Sequence, residues 1–193
     1  EVFADYPLRE DTRAGGGALC GRTDVLGFTL GGLSKTIGLP QAKLGWIAVS
    51  GDQASVDAAM ARLELACDTY LSVSTPVQLA AGDLLDRGAA VRRQILTRVR
   101  SNLALASALV AAHPACSLLH TEAGWSAVIQ VPSLMPEEDL VLALLTEEAV
   151  LVHPGYFFDF ASESFLVVSL LAPEDAFRDG LARMLARAGT GTS

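Results

Sequence analysis

Leu44-Gly45-Trp46-Ile47-Ala48-Val49 is an almost unbroken apolar run of strand length, and it constrains the fold more than any other stretch of the chain. A strand with one wet face alternates, whereas a strand that is apolar throughout is buried on both faces, as in the sheets of α/β proteins. No apolar run approaches the ~18–20 residues of a membrane span, and the opening EVFADYPLRE lacks the basic and apolar blocks of a secretory signal. With 193 residues, 51% hydrophobic and 19% charged, the chain is long enough to bury a core, and disordered or collagen-like readings are excluded. It begins without methionine inside what reads as a strand, so it is expected to be the carboxyl-terminal part of a longer protein. A net charge of -8 repels a phosphate backbone, which argues against nucleic-acid binding. Cys20, Cys67 and Cys116 are odd in number and irregularly spaced, fitting neither a disulfide framework nor a zinc site. Reduced cysteines in a cytoplasmic protein are expected.

The pattern predicts a strand over Val25–Leu30 ending in a tight turn at Gly31-Gly32, then the Leu44–Val49 strand closing at Ser50-Gly51-Asp52. From Ser55 to Leu71, Val56, Met60, Leu63, Cys67 and Tyr70 recur at three and four, which predicts an amphipathic helix. Thr75-Pro76-Val77-Gln78 places a hydroxyl at the N-cap and proline at the first helical position. That helix should pause at Gly88 and be followed by a long one over about 89–112, with Ile95, Val99, Leu103, Ala106 and Val110 on one side, ended by His113-Pro114. Short strands then alternate with helices: strands at Ser117–His120, Ala127–Val131, Val150–His153 and Phe165–Leu171, and helices at 136–147 and 173–188. The expected division is 1–95 and 96–193, joined by the long helix.

Of the 14 basic residues only Lys35 and Lys43 are lysines. Arginine cannot form an imine or release its proton near neutral pH; lysine does both when its surroundings lower its pKa. Lys35 also follows a strand exit, between glycine and serine-rich backbone where chemistry is often placed.

The run from Leu30 to Ile47, Leu-Gly-Gly-Leu-Ser-Lys-Thr-Ile-Gly-Leu-Pro-Gln-Ala-Lys-Leu-Gly-Trp-Ile, closely resembles the cofactor-lysine segment of fold type I, pyridoxal-phosphate-dependent aminotransferases of class I/II. The Glu1–Tyr6, Thr69–Gln78, Gly124-Trp125 and His153–Phe158 segments are similar to further family segments in the same order, so the resemblance covers essentially the whole chain. It implies the end of a large α/β domain with a mostly parallel sheet, followed by a small α+β carboxyl-terminal domain. It also implies that Lys35 holds pyridoxal 5'-phosphate as an imine and then serves as the proton-transferring base. Ser34 and Lys43 resemble the family's phosphate ligands, Ser34 suiting a helix N-cap equally well. Trp125 is expected to line either the substrate pocket or the small-domain core. Tyr70 reaches a cofactor across a dimer interface or, at its helical spacing, packs in the core. Tyr156, Phe157 and Phe158 either cap the substrate entrance or pack.

The chain departs from the family pattern at four positions. Phe3 stands where a tyrosine hydroxyl usually bonds the cofactor's 3' oxygen, Gly32 where a serine often contacts phosphate, and Lys43 where an arginine is usual. Val167 takes the place of the arginine that clamps the substrate α-carboxylate, and an apolar side chain cannot pair with a carboxylate. His113 and Cys116 have no second pair to complete a metal site. His153 reads as a strand-end residue, and Arg92, Arg93, Arg98 and Arg100 as the solvated face of the long helix. The resemblance therefore implies a homodimeric aminotransferase moving an amino group between an amino acid and a 2-oxo acid. Two alternatives stay open: a carbon–sulfur β-lyase of the same fold, and the non-enzymatic pyridoxal-phosphate-binding effector domain of a transcription regulator.

Overall fold

A computed structural model of the protein describes residues 2–9, 19–70, 72–162 and 164–189; Glu1 and Leu71 lie outside them. The chain divides into two compact units, Glu1–Gln94 and Ile95–Ser193.

In the first unit, residues 2–5 form a turn closed by Tyr6 N donating to the Phe3 carbonyl at 2.9 Å, where the sequence suggested a strand. Strand β1, Gly27–Gly32, pairs antiparallel with β2, Gly45–Ser50, so the expected strand runs on through the two glycines instead of ending before them. Gly31 is required there: a Cβ on it would lie 2.4 Å from the Trp46 indole nitrogen, because that ring covers its cross-strand partner. The mostly parallel sheet is not found among the described residues, where every strand pairing is antiparallel. Nor is β2 buried on both faces, since Trp46 is 38% and Ile47 42% exposed. A two-stranded ribbon has too little neighbouring surface to cover an apolar strand.

Between the strands lie the short helix α1, Leu33–Thr36, and a single 3-10 turn, Pro40–Ala42. Helix α2, Gln53–Thr69, starts where Asp52 accepts a bond from Ser55 N at 3.1 Å, a cap that offsets the unpaired first-turn amides. Of its predicted apolar face, Val56 and Leu63 are half-buried, while Met60, Cys67 and Tyr70 are exposed. Tyr70, 78% exposed, is therefore not a core residue of this unit.

Helix α3 is continuous from Thr75 to Ala111, without the pause expected at Gly88. A Cβ at Gly88 would sit 2.4 Å from Ile37, so this glycine serves a close approach rather than a helix end. The first turn is accepted by the Ser74 carbonyl, one residue ahead of the expected cap, and Gln78 turns its amide to the Val73 carbonyl at 2.6 Å. Arg92 leaves the expected solvated face to pair with Asp5 at 3.1 Å.

The second unit contains the rest of α3 and a four-stranded antiparallel sheet in the order β3-β4-β6-β5. Its strands are β3 Ser117–Leu118, β4 Ser126–Gln130, β5 His153–Pro154 and β6 Phe165–Ser169. Helices α4, Glu137–Glu147, and α5, Glu174–Gly189, follow β4 and β6. Ile129, Leu144, Leu166, Leu170, Met184 and Leu185 are wholly excluded from solvent. Of the predicted α3 face, Val99, Ala106 and Val110 are buried. Between them Asn102, a polar residue the periodicity passes over, is fully buried and donates to the carbonyls of Leu170 at 2.9 Å and Ala172 at 2.8 Å. These two bonds tie the helix to the exit of β6, where backbone acceptors would otherwise be stranded. Arg98 likewise donates to the Ala172 carbonyl at 3.4 Å.

Candidate active site

Lys35 stands in the last turn of α1, immediately after β1, so the strand exit read from the sequence is where the structure puts it. The turn is locked from both ends. Leu33 N donates to the Leu44 carbonyl at 3.0 Å, and Leu39 N returns to the Leu33 carbonyl at 3.1 Å. Leu33 and Ile37 are buried and anchor this loop, which leaves Lys35 half-buried between them. The Lys35 ammonium lies over the Phe3 ring, 6.0 Å from its centroid, a cation–π separation. Lys35 thus lies beside Phe3, the position where the family usually carries a tyrosine.

Ser34 is inside α1, whose N-cap is Gly32, so it is not the helix cap and its hydroxyl is left to another role. Lys43 adopts a left-handed conformation at φ 50°, closing the 3-10 turn with its N–H on the Pro40 carbonyl at 3.2 Å. Because Leu33 and Leu44 are bonded, their neighbours Ser34 and Lys43 flank one backbone bridge, with Lys43 exposed. An amine, a hydroxyl and a second cation on one closed loop are the donor set for an aldehyde that also carries a phosphate. These residues fit such a group.

Next to Phe3, Tyr6 is buried and its phenol is pushed up to about 12, first by burial and then by Asp5, with Arg92 opposing. Trp125, half-buried, precedes β4, and its carbonyl accepts from Leu170 N at 2.8 Å. His113 uses Nδ1 on the Leu109 carbonyl at 2.9 Å, and burial pushes the Cys116 thiol up. No group of three or more His, Cys, Asp or Glu among the described residues is placed to hold a metal. All three cysteines are free, and no described helix is long and apolar enough to cross a membrane.

Residues 17–178 match the family model for aminotransferase class I and II. The chain belongs to the class I and II aminotransferases. Its α/β fold is also that of solved family structures. An aminotransferase from Escherichia coli superposes with a TM-score of 0.77 at 20% identity, over 100% of this chain and 49% of that one. Tyrosine aminotransferase from Leishmania infantum gives 0.76 at 20% identity, over 97% and 47%. A PLP-dependent aminotransferase from Streptococcus suis gives 0.66 at 21% identity, over 86% and 43%. The chain thus spans about half the length of the aminotransferases it matches. No curated protein sequence matches it closely enough to count as a relative.

Sequence reasoning passed over one buried acid of this family member. Glu137 is 3% exposed, and its carboxylate accepts from Tyr156 N at 3.1 Å and Phe165 N at 2.8 Å. Its sequence signal was weak, one acid among three at a helix start, and only the chain's return past it reveals the clamp. His153, read from the sequence as a strand-end residue, lies in the two-residue strand β5, with Val167 as its cross-strand partner.

Proposed function

We propose that this chain supplies the carboxyl-terminal half of a pyridoxal-phosphate-dependent aminotransferase, acting between an amino acid and a 2-oxo acid in a cytoplasmic homodimer. The family match and the locked loop carrying Lys35 support this reading, and the loop is its central observation. When bound, pyridoxal 5'-phosphate supplies an electron sink for the bonds at the substrate α-carbon. Lys35 Nζ would hold the cofactor covalently and would also serve as the base at the substrate α-carbon. The α1 turn and the Leu33–Leu44 bridge fix the backbone from which Lys35 projects. Ser34 donates its hydroxyl, and Lys43 its charge, to the phosphate. Lysine in place of arginine gives a point contact instead of a two-pronged one. Phe3 contributes an apolar ring face under the lysine and no hydroxyl, so the proton at the cofactor's 3' oxygen is not held from this position. Trp125 is assigned as a substrate-contacting residue. In architecture, we place residues 1–95 at the end of the large domain and 96–193 in the small one.

The test is borohydride reduction of the full-length protein after incubation with pyridoxal phosphate, followed by peptide mapping. Cofactor mass fixed on Lys35 and absent in Lys35→Ala is the expected result, together with transfer of the amino group to an added 2-oxo acid. Val167 favours one second reading, a carbon–sulfur β-lyase, in which the carboxylate need not be clamped by arginine. Pyruvate and ammonia released without a second oxo acid would establish the lyase instead.

A further inference from the structure

Two contacts from one face of α3 brace the lysine loop and the turn that carries Phe3. Residues four apart on a helix are neighbours on one face, so Gly88 and Arg92 share a side of α3. At Gly88 the helix backbone comes so close to Ile37 that a Cβ there would lie 2.4 Å from that side chain. Ile37 is the buried C-cap of α1, two residues from Lys35. One helical turn later, Arg92 Nη1 donates to Asp5 Oδ1 at 3.1 Å. Asp5 belongs to the turn that Tyr6 N closes on the Phe3 carbonyl at 2.9 Å. All of these residues lie in the first unit. The contacts form a circuit: from α3 through Ile37 to Lys35, across the ammonium to the Phe3 ring 6.0 Å away, and through Asp5 back to α3.

A fixed backbone does not fix the end of a lysine, whose long side chain loses much rotamer freedom when it is ordered. A ring face attracts the charged end, so the place of the Phe3 ring bears on where the Lys35 amine rests. The ring is half-buried, and its turn is held by the wholly buried Tyr6 and by the Asp5–Arg92 pair. The two side chains of that pair are 38% and 36% exposed, and ion pairs so open to water add little to overall stability. The consequence of this pair is therefore local: it fixes the Phe3 turn against the helix that also backs the lysine loop.

We propose that Arg92 is a positioning residue for the cofactor lysine: through Asp5 it holds the Phe3 turn, and the Phe3 ring orients the Lys35 amine that attaches pyridoxal phosphate. The inference rests on the aminotransferase reading above. It gives the ring at position 3 a use that does not depend on a hydroxyl, and it gives one arginine of the long helix a task other than solvation.

The experiment titrates the full-length protein with pyridoxal phosphate, reads the dissociation constant from the absorption of the lysine-bound cofactor, and follows thermal unfolding of the same variants. Phe3→Leu, which keeps an apolar side chain and removes the ring face, should weaken cofactor binding about 5-fold, and Arg92→Ala about 3-fold. Because Arg92 acts through Phe3, the double variant should lose about 5-fold, where independent effects would multiply to about 15-fold. Arg92→Lys, which restores a cation facing Asp5, should recover most of the loss. The unfolding midpoint of Arg92→Ala should move by less than about 3 °C, as expected for a pair this exposed. Unchanged binding in Arg92→Ala, multiplying losses in the double variant, no recovery with lysine, or losses that track a falling midpoint would each overturn the positioning role while leaving amino transfer intact. Failure of the wild type to attach cofactor at Lys35 would instead remove the aminotransferase reading, and this inference with it.

Discussion

The two sheets are written in similar letters and packed differently. Strand β2, Gly-Trp-Ile-Ala-Val-Ser, and strand β6, Phe-Leu-Val-Val-Ser, are both apolar nearly throughout. In β6, Leu166, Val167 and Val168 are all buried, whereas the first four residues of β2 are exposed. The difference lies in what each sheet has beside it. Within the second unit β6 has strands on both edges and a core that includes α4 and α5. Within the first, the β1–β2 ribbon has α2 and the start of α3, and Leu65 and Leu79 on those helices are 72% and 84% exposed. An apolar strand is therefore a statement about the cover a sequence is built for; whether that cover is supplied is a separate matter. A chain that spans about half of the aminotransferases it matches is consistent with a first unit that expects more surface against it.

The sharpest way to break this contrast is a pair of truncations followed by denaturant unfolding of the chain. Leu166→Ala, from the wholly buried side of β6, should cost about 3 kcal/mol, and Leu79→Ala less than about 0.5 kcal/mol. If Leu79→Ala costs above about 2 kcal/mol in the full-length protein, that face is covered there, and the contrast belongs to the isolated chain alone.

A smaller effect maps where the first unit is packed after all. Gly88→Ala should destabilise by about 1–3 kcal/mol, because its Cβ would meet Ile37 close to the backbone. Gly82→Ala, two turns earlier on the same helix with nothing within 4 Å, should stabilise by up to about 1 kcal/mol through helix propensity. Thermal unfolding of the two variants checks the pair, and equal signs would mean that Ile37 does not press on the helix.

The smallest effect is confined to alkaline solution. Tyr6 keeps its proton in the folded state up to about 12, against 10.0 for the free side chain, so the folded state binds more protons between those values. Its contribution to stability is full below about pH 10 and lost as pH rises toward 12. The unfolding free energy should fall across that window and fall less steeply in Tyr6→Phe. An unchanged slope would mean that the phenol is not buried, and that the first unit lacks even this local core.

Much of the second unit was legible because its signals are local. Strand alternation around Ile129, the apolar face through Val99, Ala106 and Val110, and the Pro136 and Pro173 boundaries each depend on residues within a few positions of one another. The lysine segment was legible because its family resemblance is carried by one contiguous run, Leu30 to Ile47. Gly88 was misread as a break because its signal is the same for a helix end and for a close approach, and Ile37 is 51 positions away in the chain. Arg92, Asn102 and Glu137 were missed as structural residues because their partners, Asp5, Leu170 and the Tyr156 and Phe165 amides, lie from 19 to 87 positions away.

By itself, then, the sequence determined the helix and strand periods and the α/β class, which follow from neighbouring side chains and backbone sterics, while Lys35 was singled out by the scarcity of lysine and the family resemblance. Only the tertiary structure decided which apolar residues are covered, that Phe3 lies beneath Lys35, and that His153 shares a sheet face with Val167. Register and burial depend on segments that meet only after the chain has folded, and a one-residue shift in pairing would have turned His153 to the opposite face.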